Sequence, residues 1–156
     1  WTKWHKEGRP VERGPARAPR PAAFTVALRP ELLMEREELK RRVAAKDPSL
    51  AIIDARSPGE YRGQGMGRTG HVPGAVNIPW NGFYNADGTI KPPDAVLDAL
   101  KQQQAAGKWE YVVYCAGGVR CSWLYSLMLE AGIPNVKNYV GSWADWSSDS
   151  SAPVEK

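Results

Sequence analysis

The feature that most constrains the fold is an alternation of short apolar runs with longer helical patterns along the chain. The strand-like runs lie at 51–54, 75–78, 111–114 and 136–140, and the helical patterns lie at 35–45, 93–106 and 121–131. Apolar strands separated by helices are typical of a parallel sheet that is covered on both faces. We therefore expect an α/β fold with a central parallel sheet of about five strands and helices on both faces.

The size and composition of the chain suit one globular domain. The chain has 156 residues, of which 42% are hydrophobic and 24% charged, and these values argue against extensive disorder. No apolar run approaches the roughly 20 residues that a membrane span requires. Two cysteines are too few for a disulfide framework, and neither lies in a zinc-binding pattern. We expect no metal, no cofactor and no membrane span.

Positive charge is concentrated in the first third of the chain. Residues 1–46 hold 12 Lys or Arg against 6 Asp or Glu, whereas residues 47–156 hold 9 against 11. A basic segment can bind nucleic acid or a membrane surface. Here, however, the arginines stand among Pro, Ala and Gly, with no aromatic residues between them. We interpret the segment as solvated and expect no nucleic-acid partner.

A short internal repeat connects the two ends of the chain. A Trp-x-x-Trp pair at 1–4 recurs at 143–146, an offset of 142 residues. A Pro-Val-Glu tripeptide at 10–12 recurs at 153–155, an offset of 143. Two matched elements in so short a segment indicate that the start of the chain is homologous to its end.

The repeat and the composition divide the chain into three parts. Residues 1–12 are interpreted as the tail of a preceding homologous domain, which lies in the same chain or in a cleaved one. Residues 13–23 contain three prolines. Since proline excludes both helix and sheet interior, we expect an extended linker there. The main folded domain is expected to occupy residues 24–156.

The segment with the clearest chemical meaning begins at Cys115, which directly follows the strand-like run 111–114. The loop that comes next contains Ala116, Gly117, Gly118, Val119 and Arg120. Its glycines let backbone N–H groups curl toward one point, and the following helix aims its positive end there. Such surroundings lower a cysteine pKa from about 8.5 to between about 3.5 and 7.5. A lone cysteine is more often a packing residue, but this setting favours a nucleophilic thiolate.

Four stretches of the sequence together resemble the rhodanese family of sulfurtransferases. Residues 115–120 are similar to its six-residue active-site loop, 53–61 to its Asp-x-Arg-x-x-x-Glu-Tyr motif, 70–79 to its Gly-His-Ile-Pro-Gly-Ala-x-Asn-Ile-Pro motif, and 139–146 to its C-terminal signature. They occur in the family's order over residues 25–156. The partial copy at 1–12 resembles tandem members, which would make residues 24–156 the C-terminal, catalytic domain.

The resemblance implies a sulfurtransferase without a cofactor. Cys115 would be the catalytic residue, taking a sulfane sulfur from a small-molecule donor as a persulfide and passing it to a thiol or to cyanide. Residues 116–120 would bind the substrate, and Asp54 and Arg56 would support the site as a buried pair. The charge of Arg120 favours thiosulfate as the donor. The small residues before Arg120 resemble those of 3-mercaptopyruvate enzymes, so that donor is the alternative.

Other functions fit the loop less well. A non-catalytic rhodanese-like module that binds or regulates a partner typically lacks the cysteine, which is present here. A phosphatase or arsenate reductase on this fold needs five residues between Cys and Arg to surround a tetrahedral anion, whereas Cys115 and Arg120 are separated by four. We interpret Cys121 as a packing residue, the alternative being a thiol that resolves the persulfide. The cytoplasm is the favoured compartment, and the periplasm is the alternative if a signal lies upstream.

Overall fold

Four parallel strands form the centre of the molecule. The computed structural model describes residues 1–156, and its strands are β1 (Leu50–Asp54), β2 (Ala75–Asn77), β3 (Glu110–Tyr114) and β4 (Val136–Asn138). They pair in the order β2-β1-β3-β4, and every pairing is parallel. Asp54 is in register with Asn77 on one side and Tyr114 on the other. The carboxyl ends of these three strands therefore meet at one edge of the sheet.

Helices connect and flank the strands. The α-helices are α1 (Thr2–Lys6), α2 (Arg36–Ala44), α3 (Pro58–Tyr61), α4 (Asp94–Gln102), α5 (Val119–Glu130) and α6 (Ser142–Ser148), and the 3-10 helices are Pro30–Leu32 and Trp80–Phe83. The three helices predicted from periodicity are α2, α4 and α5. However, α5 begins at Val119, two residues earlier than expected, because the chain turns into the helix directly at Gly118. The last part of the cysteine loop is thus the first turn of α5.

Alternate residues of the two central strands face two separate hydrophobic cores. Ile53 and Val113 point into one core, which α4 and α5 cover with residues such as Leu100 and Leu124. Their strand neighbours point into the other core, which contains the buried side chains of α2 and α6, notably Trp146. Burial on both faces explains why the strands are apolar throughout. The prediction of a parallel α/β fold with helices on both faces is confirmed.

The expected strand count was one too high. The sheet has four strands, and beyond β4 only Leu33 forms a single parallel bridge, to Asn138. There the N–H of Met34 donates to the carbonyl of Asn138 at 3.1 Å. A fifth strand cannot extend from this bridge, because a 3-10 helix ends at Leu32 and α2 begins at Arg36.

Residues 1–31 lie outside both cores, and all of them are exposed. Phe24 and Leu28 project into solvent, and the first regular element next to the sheet is the 3-10 helix Pro30–Leu32. Helix α1 contacts the main body through an ion pair between Lys3 and Asp87, with a nitrogen–oxygen distance of 3.3 Å. None of the helices combines the length and apolarity that crossing a membrane demands.

Candidate active site

Cys115 directly follows β3 at the carboxyl edge of the sheet. Its backbone N–H donates to the hydroxyl of Ser142 at 3.1 Å, and its carbonyl accepts from the N–H of Trp143 at 2.9 Å. The next carbonyl, of Ala116, accepts from the N–H of Ala144 at 2.9 Å. The first turn of α6 therefore holds the start of the cysteine loop in place.

The loop turns back on the sulfur of Cys115 at Gly118. The N–H of Gly118 donates to this sulfur over 3.3 Å, and its φ of +98° lies in the region that favours glycine. A Cβ at this position would stand 3.0 Å from the carbonyl oxygen of Val140. Val119 is exposed and turns its side chain to solvent. The loop therefore turns the backbone N–H of Gly118 toward the sulfur.

The surroundings of Cys115 stabilise its thiolate. A hydrogen bond from the thiol of Cys121 lowers the pKa of Cys115 to about 4, helped by the backbone N–H groups of Cys121, Gly117 and Gly118. Burial of the side chain opposes this shift, but the donors outweigh it. Cys115 is therefore ionised at neutral pH, which is the state required of a nucleophile.

Ser142 lies directly under Cys115, and sequence reasoning did not single it out. It is fully buried and adopts a φ of +55°, which is uncommon for a residue other than glycine. Its hydroxyl donates to the carbonyl of Tyr139 at 2.9 Å, and the same oxygen lies 3.8 Å from the sulfur of Cys115. The hydroxyl oxygen thus lies beside the cysteine, where it accepts from the N–H of Cys115. The only sequence signal was its position within the C-terminal signature at 139–146.

Cys121 is a second buried thiol beside the first. Its sulfur donates to the carbonyl of Gly118 at 3.0 Å and lies 3.6 Å from the hydroxyl oxygen of Ser142. Its hydrogen bond to Cys115, together with burial, raises the pKa of Cys121 far above its usual value. Cys121 therefore stays protonated. It packs in the core, as the sequence indicated, and it also contributes to the lowered pKa of Cys115, which the sequence did not show.

Arg120 ends the loop and is bound to a carboxylate. Its two terminal nitrogens donate to the two oxygens of Glu60 at 2.9 and 2.8 Å. Hydrogen bonds from Arg120, and further bonds from Ser57, lower the pKa of Glu60 to about 2 in spite of partial burial. From the sequence, Arg120 was predicted to bind the sulfur donor, but its pairing with Glu60 was not predicted.

Asp54 and Arg56 form the buried pair that the sequence predicted. The nitrogen Nη2 of Arg56 donates to Oδ2 of Asp54 at 2.6 Å and to the carbonyl of Gly70 at 2.7 Å. The hydroxyl of Tyr114 also donates to Asp54 at 2.6 Å. The guanidinium of Arg56 lies over the ring of Trp143, 4.6 Å from its centroid. The pair thus ties β1 and β3 to the Gly70 turn and to α6, behind the cysteine loop.

His71 has a local structural role. Its ring stacks on Tyr61 with centroids 3.8 Å apart, and its Nδ1 lies 2.9 Å from the carbonyl oxygen of Tyr61. Its backbone exchanges two hydrogen bonds with Glu155. No group of three or more Cys, His, Asp or Glu side chains is placed to hold a metal ion.

These features define an α/β protein with a buried cysteine of lowered pKa at the carboxyl edge of a parallel sheet. The chain belongs to the rhodanese-like domain family, since the model of that family matches residues 35–149. The resemblance drawn from the sequence motifs is therefore confirmed.

Curated relatives extend over nearly the whole chain. A thiosulfate sulfurtransferase of Azotobacter vinelandii is 36% identical over 158 residues, which span 99% of this chain and 56% of the relative. A sulfur carrier protein, TtuD, of Thermus thermophilus is 34% identical over 168 residues, which span 99% of this chain and 58% of the relative. The chain thus spans little more than half the length of these relatives.

Solved structures show the same fold. The anaerobic ergothioneine biosynthesis enzyme of Chlorobium limicola superposes on 98% of this chain with a TM-score of 0.83, at 23% identity. The matched part is 39% of that enzyme's chain. At this identity the likeness concerns the fold alone.

Proposed function

We propose that this domain is a sulfurtransferase in which Cys115 carries the sulfur as a persulfide and thiosulfate is the favoured donor. The observation that carries the proposal is the place of Cys115, directly after β3 at the carboxyl edge of the sheet, where the N–H of Gly118 donates to its sulfur over 3.3 Å. Neighbouring donors lower the pKa of this cysteine to about 4, which agrees with a thiolate. A cysteine that served only to pack the core would not need this set of donors.

The proposed reaction has two steps. The thiolate of Cys115 attacks the sulfane sulfur of thiosulfate, a new S–S bond forms, and the old S–S bond breaks with its electron pair leaving on sulfite. A thiolate or cyanide then attacks the outer sulfur of the persulfide, and the Cys115 thiolate leaves. Covalent catalysis of this kind gives ping-pong kinetics. The N–H groups that hold the thiolate also suit the negative charge of the persulfide.

Several observations support thiosulfate as the donor. Arg120 places a guanidinium at the rim of the loop, where it can form charge-assisted hydrogen bonds to an anion that displaces its partner Glu60. The Azotobacter vinelandii relative is named as a thiosulfate sulfurtransferase, and the Thermus thermophilus relative as a sulfur carrier protein. The uncharged residues 116–119 would also accept 3-mercaptopyruvate, which is the second candidate donor.

Cys115→Ser tests the proposal because it replaces the thiolate with a hydroxyl that does not ionise near neutral pH. We expect turnover with thiosulfate and cyanide to disappear while the circular dichroism spectrum stays unchanged. Cys121→Ser is the matched control, since it alters the other buried thiol and keeps Cys115. A Cys115→Ser enzyme that retained more than about a tenth of the activity would refute the persulfide route.

We also propose that residues 1–12 belong to a preceding domain homologous to this one. The indole nitrogen of Trp4 donates to the carbonyl of Pro10 at 2.9 Å, and that of Trp146 donates to the carbonyl of Pro153 at 2.8 Å. The two copies of the repeat thus share a hydrogen bond as well as a sequence pattern. Trp146 is fully buried, whereas Trp4 is 44% exposed. In the preceding domain, Trp4 would fill the core position that corresponds to that of Trp146 in this domain.

A further inference from the structure

The rim of the active site contains an ion pair that the proposed reaction does not use. We propose that Glu60 is a specificity-determining residue, which competes with an anionic sulfur donor for Arg120 and so reduces the preference for the dianion thiosulfate over less charged donors without reversing it. This inference rests on the proposed sulfurtransferase function. It concerns the class of donor and not the identity of the nucleophile.

Arg120 is already hydrogen-bonded to Glu60 before a sulfur donor binds. Both terminal nitrogens of its guanidinium face Glu60 in a bidentate arrangement, with distances of 2.9 and 2.8 Å. The two side chains are 27% and 34% exposed, so the pair lies at the rim and is open to solvent and solutes. A donor anion can reach Arg120, but it must compete with the Glu60 carboxylate, which already accepts hydrogen bonds from both terminal nitrogens of the guanidinium.

Glu60 is the fixed partner of the pair. Its carboxylate accepts from the N–H of Ser57 at 3.0 Å and from the Ser57 hydroxyl at 2.8 Å, and the N–H of Glu60 donates back to that hydroxyl. This capping box holds Glu60 in the first turn of α3. Because the carboxylate is anchored and ionised, Arg120 is the side chain that must move when a donor binds.

The neighbouring cations do not replace Arg120. Beside the rim lies a cavity of about 180 Å³ that Arg56 and Arg68 help to line. Arg56 is paired with buried Asp54, and Arg68 donates to the carbonyls of Asp149 and Ala152. An incoming dianion therefore meets arginines that are already bonded. A sulfur donor with one negative charge or none is attracted less strongly to Arg120. The pairing of Arg120 with Glu60 therefore weakens the binding of such a donor less than it weakens the binding of a dianion.

The Glu60→Gln variant tests the effect of the negative charge of Glu60 while keeping the local structure. Glutamine keeps the capping box, because Gln replaces Glu in that motif, but it removes the negative charge that holds Arg120. We expect kcat/KM for thiosulfate to rise about fivefold, mainly through a lower KM, which is the scale of one partly exposed ion pair. The kcat/KM for an alkyl persulfide, which carries at most one negative charge, should stay within about twofold.

Three further variants isolate the cause. Ser57→Ala breaks the capping box and leaves the carboxylate opposite Arg120, so it should give no gain with thiosulfate. In the double variant Glu60→Gln with Arg120→Ala, the gain should vanish. Glu60→Ala loses both the charge and the capping box, and it should show the gain together with a lower Tm. Glu60→Ala therefore provides a second test of the charge effect if Glu60→Gln folds poorly.

The outcomes distinguish this inference from the proposed function. A selective gain with thiosulfate in both Glu60 variants, absent in Ser57→Ala, supports the inference. If thiosulfate kinetics are unchanged or worse in both variants while Cys115 still forms a persulfide, the inference is wrong and the function stands. If the unmodified protein forms no persulfide with either donor, the proposed function itself fails.

Discussion

At the scale of single residues, the chemistry of Cys115 comes from its immediate neighbours. The Cys121 thiol and the backbone N–H groups of the loop surround one sulfur and together bring its pKa to about 4. Since a thiolate loses its charge only below its pKa, the alkylation rate of Cys115 should be flat above about pH 6 and fall through an inflection near pH 4.

Cys121→Ala tests the contribution of the second thiol. Removing this donor should raise the pKa of Cys115 and move the inflection of its alkylation rate to higher pH. Cys121→Ser keeps a hydrogen-bond donor at the same place and should lie closer to the unmodified protein. The measurement is the rate of iodoacetamide labelling of Cys115 against pH, followed by mass spectrometry. Identical profiles for all three proteins would show that Cys121 only packs.

At the scale of secondary-structure elements, the buried pair Asp54–Arg56 ties the strand ends to the turn and to α6. Asp54→Ala leaves the guanidinium of Arg56 buried without its partner, and it should lower the free energy of unfolding by about 3–5 kcal/mol. Urea denaturation measures the change. The control is Asp98→Ala, which removes an exposed partner of Lys101 on α4 and should change stability little. Equal effects of the two variants would contradict the bracing role of the buried pair.

The longer helices and the strands were predictable from the sequence, and the short helices were not. Helices α2, α4 and α5 show helical periodicity, and each of the four strands lies in a short apolar or β-prone run. Helices α3 and α6 have four and seven residues, which is too short for a clear helical period. Within the site, Cys115 and its glycines could be identified because they are contiguous. The Glu60–Arg120 pair and the place of Ser142 could not, because the fold joins residues that are distant in sequence.

At the scale of the whole molecule, the parallel sheet brings the carboxyl ends of β1, β2 and β3 to one edge. The proposed preceding domain accounts for residues 1–12. In a longer chain that includes such a domain, Trp1 and Trp4 should be protected from hydroxyl-radical labelling. Trp109, which is 72% exposed, should be labelled with or without that domain and serves as the control. If Trp4 were labelled as readily as Trp109 in the longer chain, the docking of residues 1–12 on a preceding domain would be wrong.

The most direct test of the central claim is the intact mass of the protein after incubation with thiosulfate and rapid removal of the excess. We predict a gain of about 32 Da, the mass of one sulfur atom, located by peptide mapping at Cys115 and lost on addition of cyanide. The Cys115→Ser protein treated in the same way should show no gain. A gain of the same size in Cys115→Ser, or a sulfur atom mapped to Cys121, would contradict the account.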